Sequence, residues 1–328
     1  MKGPVKVPGA STPMRGRTKM VTMPCRSFLL AIAATFSLVP QLRAQSNKNS
    51  VGANPSTSII SAANSRSHYT WIEEFDGSAD TDGQVMVLDS SFGYVFSHHL
   101  ALNAGLPLYF VRVTATSPTG TSTNNSFTAL GDIYAQVRLS FPNPTLNYRT
   151  QFTGRAPTGS STDGISTGHP TYDWTNRIDR RFGAWTPFFE IGLADSIPDA
   201  FVYRRPFTSY GQLSHFQLGV GYHLREWLTL AASAFDIAPW GSQTIFSRIA
   251  KNGPAGSGGQ GRGFEQNAKM TGGSGLAADN GFSAGVVLVP SKTVDFMVGY
   301  SRSTHYQLNT ISFGIAVNMA EILRRSVL

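Results

Sequence analysis

The chain has 328 residues, 41% hydrophobic and 14% charged, with one cysteine and a formal net charge of +8. A single cysteine excludes a disulfide scaffold, and the charged fraction lies far below the roughly 25% of ordinary soluble domains without the apolar content of a helical membrane protein. The charge is also uneven: Lys2, Lys6, Arg15, Arg17, Lys19, Arg26 and Arg43 stand in the first 44 residues with no acid, leaving 20 basic against 19 acidic side chains beyond them. A nucleic-acid binder carries its basic face on the folded domain, so this balance argues against one.

In chain order, residues 1–44 read as a cleavable signal peptide. An apolar core at 27–39 follows Arg26 and the basic stretch, and Leu42-Arg43-Ala44 is a small-residue cleavage pattern. That core is thirteen residues long, short of the about 20 that a spanning helix needs. Cys25 leaves with the signal, so the mature chain has no cysteine, a composition suited to an oxidising compartment without reliance on disulfides. Residues 45–67 are polar and rich in Ser, Asn and Ala, the composition of a flexible segment.

From about residue 68 onward the pattern has the two-residue period of a strand. After a first run near 69–75, residues 100–113 set Leu102, Ala104, Leu106, Leu108 and Phe110 against Asn103, Gly105 and Tyr109. The clearest case is 129–141, where Ile133, Ala135, Val137, Leu139 and Phe141 oppose Asp132, Tyr134, Gln136, Arg138 and Ser140. The pattern resumes at 145–156, 185–193, 211–222, 294–303 and 308–319, while 227–236 and 282–289 are too apolar for their facing to be assigned. Short turns at 97–99, 142–144, 181–184, 223–225 and 290–292 alternate with polar links at 77–83, 114–128, 157–171, 195–209, 239–278 and 303–306. The largest contains the glycine-rich 253–275, the composition of a mobile loop. With the stretches that these turns and links bracket at 84–96 and 172–180, the count is twelve strands.

A strand with one apolar and one polar face can be half of a soluble sandwich or the wall of a membrane barrel. Strands of about eleven residues match a tilted crossing of the bilayer, whereas soluble strands average about five or six. The alternation of short turns with long loops is the outer-membrane pattern, turns in the periplasm and loops outside. Tyr94, Phe96, Tyr109, Phe110, Trp185, Tyr222 and Trp227 gather toward strand ends as candidate interfacial girdles. The expected fold is all-β: an antiparallel transmembrane β-barrel over 68–320, with a tail at 321–328. Its polar rows would face inward, making Asp132, Arg138, Arg149, Arg155, Arg177, Asp179, Glu190 and Asp295 the pore-lining candidates, with Asp89 beside them. Arg138, Arg149 and Arg155 share a facing on two neighbouring strands. They can form a basic strip that attracts anions, or pair with Asp132, Asp179 and Glu190 to fill a closed lumen.

No catalytic constellation emerges. Of seven histidines only His215 falls on a strand, and its neighbour Ser214 points to the opposite face. No HExxH helix, CxxC pair or P-loop is present, so neither metal nor cofactor is expected. Turn chemistry accounts for Asp163-Gly164.

Three stretches carry a family resemblance: Gly131–Leu139 (GDIYAQVRL), Gly154–His169 (GRAPTGSSTDGISTGH) and Leu100–Leu108 (LALNAGLPL). With the signal peptide, they make the chain resemble bacterial outer-membrane β-barrel transporters of the phenol meta-pathway type. The resemblance implies a small barrel of the porin or hydrophobic-compound transporter kind. Many such barrels end on an aromatic residue, whereas this chain runs past Phe313 and Met319 to a final Val-Leu. The expected function is passive passage of small solutes, hydrophobic ones included, across a Gram-negative outer membrane. The expected partners are outer-membrane lipids and a small solute, without nucleic acid. The alternatives are a barrel enzyme acting on envelope lipids and a secreted β-sandwich that binds carbohydrate.

Overall fold

The computed structural model describes residues 68–81, 83–116, 122–199, 203–249, 264 and 267–326. The signal peptide, the polar segment up to residue 67 and much of the glycine-rich 253–275 stretch lie outside them. The described strands are β1 His68–Ala79, β2 Gly83–Val95, β3 Leu100–Thr116, β4 Ser122–Leu130, β5 Tyr134–Phe141, β6 Asn147–Arg155, β7 Thr171–Asp179 and β8 Trp185–Ala194. They continue as β9 Phe207–Tyr210, β10 Leu213–Arg225, β11 Leu228–Pro239, β12 Gln243–Ser247, β13 Lys269–Gly272, β14 Asp279–Leu288, β15 Val294–Ser303 and β16 Leu308–Asn318.

The large sheet runs β2-β1-β16-β15-β14-β11-β10-β8-β7-β6-β5-β3, and β2 pairs back to β3, so the ring is closed. Every pairing in it is antiparallel. β4 and β5 share one place in the ring, because β3 pairs with β5 from Leu100 to Gly105 and with β4 from Leu108 to Thr116. The result is a twelve-strand barrel wall. Closure overturns the sandwich alternative, which needs two stacked sheets.

The interruption between β4 and β5 has a local cause. In a strand, a residue's N–H and C=O leave on the same side, and the Pro107 carbonyl accepts from Gly131 N at 2.8 Å. The N–H that proline lacks therefore faces the break, where no ladder acceptor is stranded.

Polarity across the wall is inverted relative to a water-soluble domain. Ile311 is 64% exposed and Val298 59%, whereas Ser301, Ser303 and Thr310 are fully buried. The alternation in β5, β6, β8, β15 and β16 turns apolar residues outward and polar ones inward, as their spacing predicts. The two ambiguous runs resolve likewise, with Leu230, Phe282 and Val286 facing out and Ser283 in. Aromatic pairs ring the short-turn rim: Trp185 lies 4.4 Å from Tyr222, and Tyr94 4.7 Å from Phe96. Tyr109 does not join them. Its ring is buried inside the barrel, because the upper half of β3 faces other apolar groups rather than solvent.

Three expected links differ in form. Most of the 114–128 link is strand, since β3 and β4 continue as a hairpin to Thr116 and Ser122. The last strand stops at Asn318, and Met319–Ser326 forms a helix, α1. The 195–209 and 239–278 links hold β9, β12 and β13, which pair as a second, three-stranded sheet. These loops fold into the long-loop end. Tyr203, Phe207, Ile245, Ile249 and Phe264 pack there with Val85, Val111 and Leu308 of the wall. Each such side chain contributes about 1.5–3 kcal/mol when fully buried.

Ion pairs pin this plug to the wall. Arg204 grips Asp76 of β1 through Nε and Nη2, both at 2.6 Å. Arg205 reaches Asp279 of β14 at 3.3 Å, and Arg248 donates to the Arg205 carbonyl at 2.6 Å. Burial alone would lower the Arg204 pKa; the Asp76 charge and hydrogen bonds reverse this and leave it well above the ordinary arginine value. Burial pushes the Tyr203 hydroxyl up as well.

Candidate functional site

Beneath the plug lies a cavity of about 330 Å³. Its wall is charged and laterally divided. On one side Glu74 of β1 and Asp89 of β2 are direct cross-strand partners. On the other stand Arg138 of β5, Arg149 and Arg155 of β6, and Arg177 of β7. Arg204 and Arg205 of the plug form its roof with Tyr203.

Register explains how the arginines gather. Arg149 is paired with Arg177, and Arg177 with Glu190. Arg138 pairs with Gln151, which places it on the diagonal from Arg149. Direct cross-strand partners have Cβ atoms about 4.5–5.5 Å apart and diagonal ones about 7–8 Å, so the three form one row. Arg177 lies 3.6 Å from Glu190 and 3.7 Å from Asp179, beyond good hydrogen-bond length. Its guanidinium stacks 3.9 Å from the Phe188 ring centroid. The Nε, Nη1 and Nη2 atoms of Arg177 and Nε of Arg149 are buried without hydrogen-bond partners among the described residues.

Two glycines let side chains cross neighbouring strands toward this chamber. Tyr134 lies over Gly105, where an added Cβ would come within 2.4 Å of its ring, and its hydroxyl donates to Asp89 at 2.8 Å. His215 lies over Gly192, where a Cβ would come within 2.1 Å of Nε2. That nitrogen meets Asp173 at 3.3 Å.

The structure places Arg138, Arg149, Arg155, Arg177 and Glu190 on the cavity wall. Asp132, Asp179 and Asp295 sit elsewhere. Asp132, at the β4/β5 break, accepts from Gly159 N and Ser166 Oγ, both at 3.0 Å, and so ties down the 156–170 loop. Asp179 accepts from Asn147 at 3.0 Å near the turn rim. Asp295 is buried on β15. Of the expected pairings, Asp179 and Glu190 make their direct ion pairs with Arg177, which stands next to Arg149, and Asp132 serves loop groups. Sequence reading missed Glu74, Asp173 and the plug arginines. A usable signal was Tyr203-Arg204-Arg205-Pro206-Phe207, two adjacent cations flanked by aromatic residues in an otherwise polar link.

No family model matches the chain, and no curated protein matches it. Solved structures do. An outer membrane channel from Pseudomonas putida F1 aligns with a TM-score of 0.50 at 10% identity, covering 84% of this chain and 100% of that one. This is the fold of an outer-membrane channel. The KdgM porin aligns at 0.43 with 8% identity, over 75% of this chain and 98% of its own. A mutant of the TodX monoaromatic hydrocarbon channel aligns at 0.39 with 10% identity, over 81% and 92%.

Proposed function

We propose that the protein is a passive channel of a bacterial outer membrane that admits small polar solutes. The observation that carries this reading is the inverted polarity of a closed barrel, with Ile311 and Val298 outside and Ser301 and Thr310 inside. Only closed barrels and helices satisfy every backbone group in hydrocarbon, and this wall has the closed form. A cavity edged by Arg138, Arg149, Arg155, Glu74 and Asp89 favours hydrophilic solutes, since an apolar molecule there would strip water from charges without replacing it. Membership in the phenol meta-pathway type of barrel rests on the three short motifs and belongs to this proposal. An enzyme acting on lipid is less favoured: His215 is held on the inner face by Asp173, away from the surface that acyl chains would touch.

The refolded mature chain should migrate faster unheated than boiled in detergent gels and give discrete steps in planar bilayers. A heat-modifiable barrel with no conductance would overturn the channel reading while leaving the fold intact.

A further inference from the structure

The cavity contains an electrostatic arrangement that the fold does not use for its own cohesion. Arg138 is 7% exposed and Arg177 3%, and the Arg138 guanidinium has no hydrogen bond or ion pair to any described residue. Like charges opposite one another on a sheet are destabilising, and a desolvated cation is strongly unfavourable unless opposite charge and hydrogen bonds compensate it. The local acids do not suffice. Glu190 and Asp179 stand off Arg177 at 3.6 and 3.7 Å, too far to accept its N–H groups. Plug arginines differ, since Arg204 and Arg205 both donate hydrogen bonds to acids of the wall.

We propose that Arg138, Arg149 and Arg177 form a binding site for one small oxoanion, a carboxylate or phosphate group, at the basic wall of the cavity. The assignment rests on the channel reading for its physiological use, but binding itself does not require conduction. Planar guanidinium forks suit the two oxygens of such groups; Arg138 and Arg149 on the cavity wall supply the donors, and the buried Arg177 paired with Arg149 adds positive charge behind them. Phe188 beneath Arg177 restricts the direction in which its fork can turn. Glu190 acts as a weak internal competitor for Arg177.

The experiment is equilibrium dialysis of the refolded, detergent-solubilised mature chain against radiolabelled acetate and, separately, inorganic phosphate. Saturable binding of about one anion per barrel is expected for at least one probe, weakened at least tenfold in Arg149→Gln and in Arg177→Gln. Glu190→Gln should tighten binding severalfold, a gain that misfolding cannot imitate. Heat-modifiable mobility checks that each variant is closed. Absence of saturable binding of both probes overturns the site, as does binding that the arginine variants leave unchanged or that Glu190→Gln leaves unchanged. Binding in a barrel that is silent in bilayers would retain the site and reject the channel.

Discussion

Tyr134 shows how much of the interior depends on single side chains. Its hydroxyl gives Asp89 Oδ2 its hydrogen bond, while Oδ1 of the same carboxylate is buried without one among the described residues. Removing the hydroxyl in Tyr134→Phe therefore leaves a buried carboxylate with less compensation, at a cost of about 1–3 kcal/mol. The expected outcome is a lower urea midpoint for unfolding from detergent micelles; an unchanged midpoint would mean that Asp89 finds other partners. The polar facing of Tyr134 was legible from alternation alone. Its reach to Asp89 was not, because that depends on the bare surface of Gly105 on the intervening strand, and a one-dimensional pattern does not show which residues lie side by side.

At the level of elements, the plug separates what patterning reveals from what it conceals. Strands of the wall announce themselves because one face meets an apolar surround and the other a polar interior, which imposes a strict period. β9, β12 and β13 have four, five and four residues, and Phe207 of β9 and Ile245 of β12 pack with apolar wall residues at the long-loop end, so their composition follows local fit rather than period. The 195–209 link was therefore legible as a connection and illegible as a stopper. Its anchor can be tested directly. In Asp76→Asn, Arg204 loses its fully buried partner, and breaking one side of such a pair costs about 3–5 kcal/mol. Conductance in planar bilayers should rise severalfold as the plug loosens, and the charge-swapped pair Asp76→Arg with Arg204→Asp should bring it back toward the original value. Unchanged conductance in Asp76→Asn would locate the main barrier elsewhere in the lumen.

Across the whole molecule, the twelve-strand count and its alternating connections followed from repeated patterns, whereas the grouping of charges did not. Arg138, Arg149 and Arg155 were visible as a row on adjoining strands, but Arg177 joins them only through the register of β6 with β7. The outer surface offers the broadest test. Val298 lies midway along β15 and faces outward, so Val298→Arg should cost about 2–4 kcal/mol, the penalty for a basic side chain at the bilayer midplane. Folding yield into phosphatidylcholine vesicles should fall accordingly; an undiminished yield would show that this part of the wall is not covered by hydrocarbon.

The hairpin of β3 and β4 sets the depth of immersion. Above Gly131, β4 is bonded to β3 on one side, and among the described residues no strand pairs with it on the other. Amides along a free strand edge tolerate water or another strand but not acyl chains. The waterline on that side of the cylinder must accordingly run at or below Gly131, leaving the hairpin standing clear of the lipid as a raised parapet.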